Sequence, residues 1–236
     1  MWNATVLSLF PEMFPGTLGS SLAGKALKNG LWNLNKINIR DFANNKNGKV
    51  DDVPFGGGHG MVINPEVLDK ALNSVSAHEG PRIYLSPRGK KFDQAIARNL
   101  SKEKGAVFIC GRYEGVDERF LIHNDVTEVS VGDFILSGGE IAAQLIIDAT
   151  VRLLPNVIGN SLGLVEESFE NNLLEYPLYT YPRVWNNIEV PEVLLSGDHQ
   201  KIKMWKIKMS ENLTKSKRPD LWSKYIKSVS YTHLRA

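Results

Sequence analysis

The first 155 residues alternate short apolar runs with segments of helical periodicity, and this alternation constrains the fold more than any other feature. Short, mainly apolar runs at 4–9, 82–85 and 106–110 predict strands, and the continuous apolar run at 106–110 predicts a central strand that is buried on both faces. Between and after them, 65–75 and 140–154 carry apolar residues at helical spacing. Strands that alternate with helices are typical of a parallel sheet covered by helices. The sequence therefore predicts an α/β domain with a mostly parallel sheet.

The pattern changes after Pro155, where glycines and acidic residues interrupt the chain. We expect three parts: an α/β domain at 1–160, an interdomain linker at 161–175 and a small helical domain at 176–236. From Asp198 onward the apolar spacing is wholly helical, and Pro219 is placed to open the last helix. Residues 230–236 show no periodicity and do not enter this prediction.

The formal net charge of +2 conceals an uneven distribution. Residues 1–160 are neutral, 161–197 carry a net charge of −5, and 198–236 carry +7. A basic helical tail on a neutral body favours an RNA partner that is bound through its phosphates.

The single cysteine, Cys110, excludes an internal disulfide bond and a cysteine-rich zinc site. The first residues lack the basic and apolar regions of a signal peptide, so we expect a cytoplasmic protein. No run of about 18 apolar residues occurs, and we expect no membrane-spanning helix.

Three glycine-bearing loops follow predicted strands, at 86–89, 111–115 and 131–140. Ligands of open α/β sheets bind beyond the carboxyl ends of the strands. The three loops together therefore predict one crevice whose backbone groups could bind an adenine or a ribose. Any one of these loops alone would also fit an ordinary turn between a strand and a helix.

Two other glycine motifs stand out. Phe55–Met61 holds four glycines in five positions, which suits a close approach of ligand to backbone, and its His59 could contact a phosphate or a base. The same composition also fits a plain flexible loop. Residues 19–26 resemble a nucleotide phosphate loop, but Ala26 replaces the hydroxyl residue that binds magnesium, which argues against a nucleotide triphosphatase.

These motifs occur in an order that resembles the bacterial tRNA (guanine-N1)-methyltransferase (TrmD) family, from about Met1 to Leu221. The segments that carry the resemblance are SLFPEMF at 8–14, RDF at 40–42, VDD at 50–52, FGGGHGM at 55–61, YLSP at 84–87, CGRYEGVDER at 110–119, VGDFILSGGE at 131–140, PEVLLSGDH at 191–199, Trp205 and RPDL at 218–221. So many ordered segments make the resemblance specific.

The resemblance implies an N-terminal α/β domain of the SPOUT type with a deep trefoil knot, followed by a small helical domain that helps to hold tRNA. It implies methyl transfer from S-adenosylmethionine to N1 of the guanosine at tRNA position 37, beside the anticodon. It also implies a homodimer whose active sites are shared between subunits. Support of the reaction by Mg²⁺ is a further implication, although no metal-ligand spacing appears in the sequence.

The resemblance also assigns site residues. The catalytic residues would be Glu167 as general base, Arg152 at the guanine O6, and Glu114. The cofactor-binding residues would be Tyr84, Leu85, Ser86, Pro87, Gly111, Tyr113, Glu114, Ser130, Val131, Gly132, Phe134, Leu136, Gly138 and Gly139. The substrate-binding residues would be Asp51, Gly58, His59 and His199.

The acceptor chemistry explains these residue types. Guanine N1 carries a proton, which a carboxylate can remove as the methyl group is transferred. Negative charge then develops toward O6, where a guanidinium can stabilise it. Glu167 stands where the family usually has aspartate, so its carboxylate is one methylene farther from the backbone. Glu166 beside it could share the role, but Glu167 keeps the acid-Ser-Phe order of the family.

Two alternatives stay open. A knotted methyltransferase acting on a ribose 2′-hydroxyl or on another RNA base would not need a carboxylate at Glu167. An RNA-binding protein without catalytic activity would tolerate the exchange of aspartate for glutamate at this position.

Overall fold

The computed structural model describes residues 1–44, 47–75, 80–159 and 167–233, without the side chains of Glu170 and of 230–233. In chain order, the strands are β1 (Trp2–Ser8), β2 (Trp32–Asn38), β3 (Asp51–Asp52), β4 (Val62–Ile63), β5 (Arg82–Lys91), β6 (Gly105–Ile109), β7 (Thr127–Ser130), β8 (Val184–Trp185) and β9 (Ile188–Glu189). The α-helices are α1 (Ser21–Lys28), α2 (Pro65–Asn73), α3 (Gln94–Lys102), α4 (Glu118–His123), α5 (Gly139–Val151), α6 (Glu192–Leu195), α7 (His199–Lys217) and α8 (Pro219–His233).

Five strands of the described chain form a parallel sheet in the order β2-β1-β6-β5-β7. The predicted α/β class with a parallel sheet is thus confirmed. Because neighbouring strands run in the same direction, the loops after β5, β6 and β7 leave the sheet at one edge. The trefoil knot stays a prediction, because strand order describes neighbours and not the threading of the chain.

The sheet is buried on both faces, which explains its continuous apolar runs. In β6, Ala106 and Phe108 belong to the core beneath α1, α3 and α5, whereas Val107 and Ile109 belong to the core beneath α2 and α4. Adjacent residues of a strand point to opposite faces, so every position of β6 must be apolar or small.

Polar side chains cap the starts of two helices. The Asn64 side chain accepts a hydrogen bond from the Glu66 N–H at 2.9 Å, and Pro65 occupies the first turn of α2. Asp198 accepts from the N–H groups of Gln200 and Lys201, both at 3.1 Å, at the start of α7. These side chains satisfy backbone donors that have no partner within the helix.

The chain divides into two compact units, Met1–Gly159 and Asn160–Ala236. Residues 160–166, which include the start of the predicted linker and Glu166, lie outside the described residues. The second unit contains α6, α7 and α8, as expected for a helical C-terminal region.

The second unit also contains a short hairpin at 184–189, which the sequence did not predict. β8 and β9 form an antiparallel hairpin with the pairs Val184–Glu189 and Trp185–Ile188. Asn186 and Asn187 connect the strands with φ of 48° and 61°. Positive φ at both central residues is the geometry of a tight hairpin turn, and asparagine tolerates it better than most residues.

Candidate functional site

A cavity of about 290 Å³ lies at the carboxyl ends of β5, β6 and β7. It is lined by the three loops that follow these strands, together with the start of α5. The lining residues are Tyr84, Leu85, Ser86, Pro87, Gly111, Arg112, Tyr113, Glu114, Gly115, Val129, Ser130, Val131, Gly132, Phe134, Ile135, Leu136, Ser137, Gly138, Gly139 and Ala142. All fourteen residues predicted to bind the cofactor are among them.

The first loop is a bulge within β5. Leu85 and Lys90 both pair with Val129 of β7, so residues 86–89 leave the ladder between them. Within the bulge, the Ser86 hydroxyl accepts a hydrogen bond from the Arg88 N–H at 3.2 Å. The sequence predicted only 82–85 as strand; β5 extends to Lys91 because pairing with β7 resumes after the bulge. The bulge turns the predicted residues Ser86 and Pro87 toward the cavity.

Tyr84 forms the floor between the first and second loops. Burial, with the nearby charge of Glu128, raises the pKa of its phenol, so the side chain is neutral near pH 7. A Cβ on Gly111 or on Gly115 would lie 2.7 Å from the Tyr84 hydroxyl oxygen. Gly115 also has φ of 109°, a conformation that residues with a Cβ rarely adopt. The second loop can therefore lie against Tyr84 only because these two positions are glycine.

The glycine-dense loop meets the second loop at Glu114. The Glu114 N–H donates to the Met61 carbonyl at 3.0 Å, and a Cβ on Gly60 would lie 2.5 Å from Glu114 Oε1. Next to it, the Ile63 N–H donates to the Gly115 carbonyl at 3.0 Å. The loop at 55–61 therefore approaches one wall of the cavity.

The third loop runs from Val131 to Gly139. Its start is fixed by Ser130, whose hydroxyl oxygen accepts from the Gly132 N–H at 3.2 Å and lies 3.1 Å from the Gly132 carbonyl. Its end is tied to the second loop, because the Gly139 N–H donates to the Gly111 carbonyl at 3.0 Å. Between these anchors Phe134 and Ile135 expose 55% and 82% of their surface. The loop is thus held at both ends and presents apolar side chains in its middle.

The predicted catalytic residues are distributed over both units. Glu114 lines the cavity. Arg152 is the residue after α5, at the opposite end of that helix from Gly139 in the cavity wall. At 1.5 Å per residue, the 13 residues of α5 place it about 20 Å away. Glu167 belongs to the second unit and is partly buried there. One chain therefore does not gather Arg152 and Glu114 in one place.

Two of the predicted substrate-binding residues, Gly58 and His59, are exposed in the loop that approaches Glu114. A third, Asp51, pairs with Ile63 in the short ladder of β3 and β4, which flanks the same loop. The fourth, His199, is the exposed first residue of α7 in the second unit.

Comparison with known proteins identifies the family to which the chain belongs. A family model described as tRNA (Guanine-1)-methyltransferase TrmD matches residues 2–224. The chain belongs to this family. Three relatives carry the name tRNA (guanine-N(1)-)-methyltransferase. The protein of Pelagibacter ubique is 54% identical over 97% of this chain and 100% of its own length. That of Rhodospirillum rubrum is 52% identical over 95% and 94%, and that of Bartonella henselae is 52% identical over 98% and 99%.

In this TrmD-family chain the segment at 19–26 is not a phosphate loop. Gly24 lies inside α1, and a Cβ there would come within 2.2 Å of the Gly19 carbonyl oxygen. The glycine therefore permits close packing of a helix against the preceding turn. The argument from Ala26 against a nucleotide triphosphatase agrees with this position.

In this member of the TrmD family, Arg112 is the most informative lining residue outside the predicted site residues. Its Nη2 lies 2.9 Å from Glu140 Oε2, and the Glu140 side chain is fully buried. The sequence signal for this ion pair was Glu140, an acidic residue in the first turn of the otherwise mainly apolar α5. Burial and Glu140 also raise the pKa of the Cys110 thiol well above its usual value, so Cys110 is an inert core residue.

The described part of the TrmD-family chain contains no group of three His, Cys, Asp or Glu side chains that could hold a metal ion. Within the same residues, no helix is long and apolar enough to cross a membrane.

Proposed function

We propose that this chain transfers a methyl group from S-adenosylmethionine to N1 of the guanosine at position 37 of tRNA. The observation that carries the proposal is the convergence of three strand-end loops on one cavity, in a member of the TrmD family. Loops at the carboxyl ends of parallel strands are the usual ligand site of α/β proteins.

The cavity residues fit this cofactor in chemical character. A Cβ on Gly111 would lie under 3.0 Å from neighbouring side-chain atoms, and the same holds for Gly132 and Gly138, so backbone forms much of the wall. Exposed N–H and C=O groups can bind an adenine and a ribose. Leu85 and Leu136 supply apolar contacts, and Glu114 supplies a negative charge suited to a cationic ligand. When bound, S-adenosylmethionine would supply a methyl group activated by a positively charged sulfur.

The acceptor side needs a base and a cation. Glu167 would accept the proton of guanine N1, which makes that nitrogen nucleophilic. Arg152 would donate hydrogen bonds to O6, where negative charge develops. Glu114, approached by the glycine-dense loop, would help to position the base, with Asp51, Gly58 and His59 beside it. His199 would contact the tRNA from the second unit.

A homodimer with shared active sites would explain how Arg152 could act at a cavity although it lies far from the cavity of its own chain. On α5, Ile141, Leu145, Asp148 and Arg152 follow one another at helical spacing on one face. Ile141 and Leu145 expose 55% and 46% of their surface in the single chain. Two copies of α5 packed antiparallel through this face would bring Arg152 of each subunit to the cavity end of its partner. We therefore propose that Arg152 acts in the partner's site.

The second unit would contact the tRNA backbone. Lys201, Lys203 and Lys208 are exposed on α7, and Lys206 lies 4.4 Å from the ring centre of Tyr176. Phosphate contacts of this kind make binding weaken as salt rises. A tRNA substrate also implies a cytoplasmic location. Support by Mg²⁺ stays a prediction, tested by adding a chelator to the assay below.

One assay separates this proposal from its alternatives. Purified protein is given radiolabelled S-adenosylmethionine and a tRNA transcript with guanosine, or with adenosine, at position 37. We expect labelling of the guanosine transcript alone, with the label recovered as 1-methylguanosine after nuclease digestion. Equal labelling of both transcripts, or label on a ribose, favours the other knotted methyltransferase. No labelling, with tRNA still bound, favours the RNA-binding protein.

A further inference from the structure

A buried ion pair lies behind the second and third cavity loops. Glu140 is fully buried in the first turn of α5, and Arg112 is 16% exposed in the second loop. Arg112 Nη2 and Glu140 Oε2 are 2.9 Å apart without an aligned hydrogen bond between them. Burying two charges costs hydration energy that their mutual attraction recovers only in part. A contribution to the stability of the fold therefore does not by itself explain why Arg112 and Glu140 are paired here.

Glu140 is anchored from the end of β1. The Ser8 hydroxyl donates to Glu140 Oε1 at 2.6 Å, and both residues are fully buried. The Ser8 oxygen in turn accepts from the Phe10 N–H at 2.9 Å. A carboxylate in the first turn of a helix is also favoured by the helix dipole. Glu140 is therefore a fixed point with its position set by β1 and α5.

Arg112 reaches from this fixed point to the third loop. Its Nη1 donates to the Ser137 carbonyl at 3.1 Å, and its Nη2 lies 3.2 Å from the sulfur of Met13. The guanidinium carbon lies 4.6 Å from the centre of the Phe10 ring. A Cβ on Gly138 would come within 2.3 Å of Arg112 Nε, so the third loop lies directly against the guanidinium. Only a planar group with several fixed donors can make these contacts at once.

The two loops that Arg112 joins both line the cavity. Gly111, Tyr113 and Glu114 belong to the second loop, and Leu136 and Gly138 to the third. The only other tie described between them is the backbone hydrogen bond from Gly139 to Gly111, at the base of the loops. We propose that Arg112 and Glu140 are positioning residues that hold these loops at a fixed separation and thereby set the affinity for the cofactor. This inference rests on the proposed use of S-adenosylmethionine in the cavity.

The test measures cofactor affinity separately from turnover in the full-length protein. Arg112→Lys keeps the positive charge but cannot contact Glu140 and the Ser137 carbonyl together. Glu140→Gln keeps the shape but removes the charge that anchors Arg112. Binding of S-adenosylhomocysteine, a stable product analogue, is followed by isothermal titration calorimetry. We expect Kd to rise at least about tenfold in both variants, because a small misplacement of a preorganised wall is costly.

The kinetic readout distinguishes positioning from a general loss of folded protein. The KM for S-adenosylmethionine should rise in parallel with Kd, while kcat at saturating cofactor and the KM for tRNA stay within about twofold. A purely structural role would instead lower the calorimetric stoichiometry and leave the Kd of the remaining folded protein unchanged, which would overturn the proposal.

Two further variants keep the test decisive. Arg119→Lys is the matched control, because Arg119 also pairs with a carboxylate of the first unit, Asp117, at 2.7 Å, but is 71% exposed and does not line the cavity. We expect its Kd to stay within about twofold of wild type. If Glu140→Gln does not fold, Ser8→Ala loosens Glu140 while keeping both charges, and its Kd should rise by a smaller factor. Wild-type Kd in Arg112→Lys and in Ser8→Ala would refute the positioning role, whereas no binding by the wild type would refute the proposed cofactor instead.

Discussion

The two units of the chain bury their side chains very differently. In the unit at 1–159, both faces of the sheet are covered, and the cavity walls are tied to each other by backbone and side-chain hydrogen bonds. In the second unit, Tyr181, Met204 and Leu178 expose 85%, 72% and 70% of their surface. Within the 19 residues of α7, burial is confined to Ser210 and Thr214. The first unit lines its cavity largely with backbone, whereas the second presents side chains outward, as suits contact with a large partner such as tRNA.

Their ion pairs show the same contrast. Arg112 and Glu140 form a buried pair in the first unit. Arg218 and Asp220 form a pair in the second at 2.6 Å, with 42% and 55% of their side-chain surfaces exposed. Water screens the second pair, so it has little influence on stability. We therefore propose that the first unit binds the cofactor and helps to position the target base, whereas the second supplies Glu167 for proton removal and basic side chains for the RNA backbone.

The largest expected effect is on turnover. Glu167→Gln removes the proposed base and should lower the single-turnover rate by about 100-fold or more, because general base catalysis contributes on that scale. Cofactor affinity should stay at the wild-type value, since the cavity belongs to the other unit. Rapid-quench kinetics and calorimetry measure the two quantities. Glu189→Gln, an exposed acid on β9, is the matched control, and an unchanged rate in Glu167→Gln would remove Glu167 from the mechanism.

The next effect is on the cofactor. Gly111→Ala adds a Cβ 2.7 Å from the buried Tyr84 hydroxyl, so the second loop must shift. We expect the Kd for S-adenosylhomocysteine to rise about tenfold or more. Gly159→Ala is the control, because no atom lies within 4 Å of its new Cβ. Equal affinities in the two variants would show that the contact between Gly111 and Tyr84 does not shape the cavity.

A smaller effect is expected from the basic helix. Replacing both Lys203 and Lys208 by alanine should raise the KM for tRNA several-fold and reduce the salt slope of binding by about two, roughly one for each lost phosphate contact. Cofactor affinity should not change. The double replacement of Lys25 and Lys28 on α1 serves as the control in filter-binding titrations over a range of salt. Identical salt slopes for the two double variants would contradict a role of α7 in RNA binding.

The smallest effect concerns acid titration of the second unit. The Arg218 guanidinium lowers the pKa of Asp220 from 3.8 to about 2. Because the folded-state pKa is lowered, the pair contributes its stabilisation above about pH 4 and loses it as the pH falls toward 2. Carboxyl chemical shifts followed by NMR should give this low pKa in the wild type and a higher pKa in Arg218→Gln. The same pKa in both proteins would show that Arg218 does not interact with Asp220.

The sequence predicted the first unit better than the second, for physical reasons. An apolar run such as 106–110 indicates a strand that is buried on both faces. Glycines after such strands indicate loops suited to a ligand, so the cavity at the carboxyl ends of β5, β6 and β7 could be predicted. The pairing of Arg112 with Glu140 could not be predicted, because nothing in the sequence links two residues that are 28 positions apart. The hairpin at 184–189 was missed although Asn186-Asn187 carries a turn signal, since its strands are only two residues each. The sequence likewise could not reveal that Arg152 lies far from Glu114 within one chain.

The most direct test of the account is a heterodimer with two different defects. Arg152→Ala and Gly111→Ala chains are co-expressed with different affinity tags, isolated by two successive affinity steps, and assayed for methyl transfer to guanosine 37 at a cofactor concentration that saturates only the wild-type cavity. If Arg152 acts in the partner's site, one of the two sites is complete, and the heterodimer should reach about half the wild-type rate while each parent stays inactive. A heterodimer no more active than its parents, or no heterodimer at all, would contradict the account.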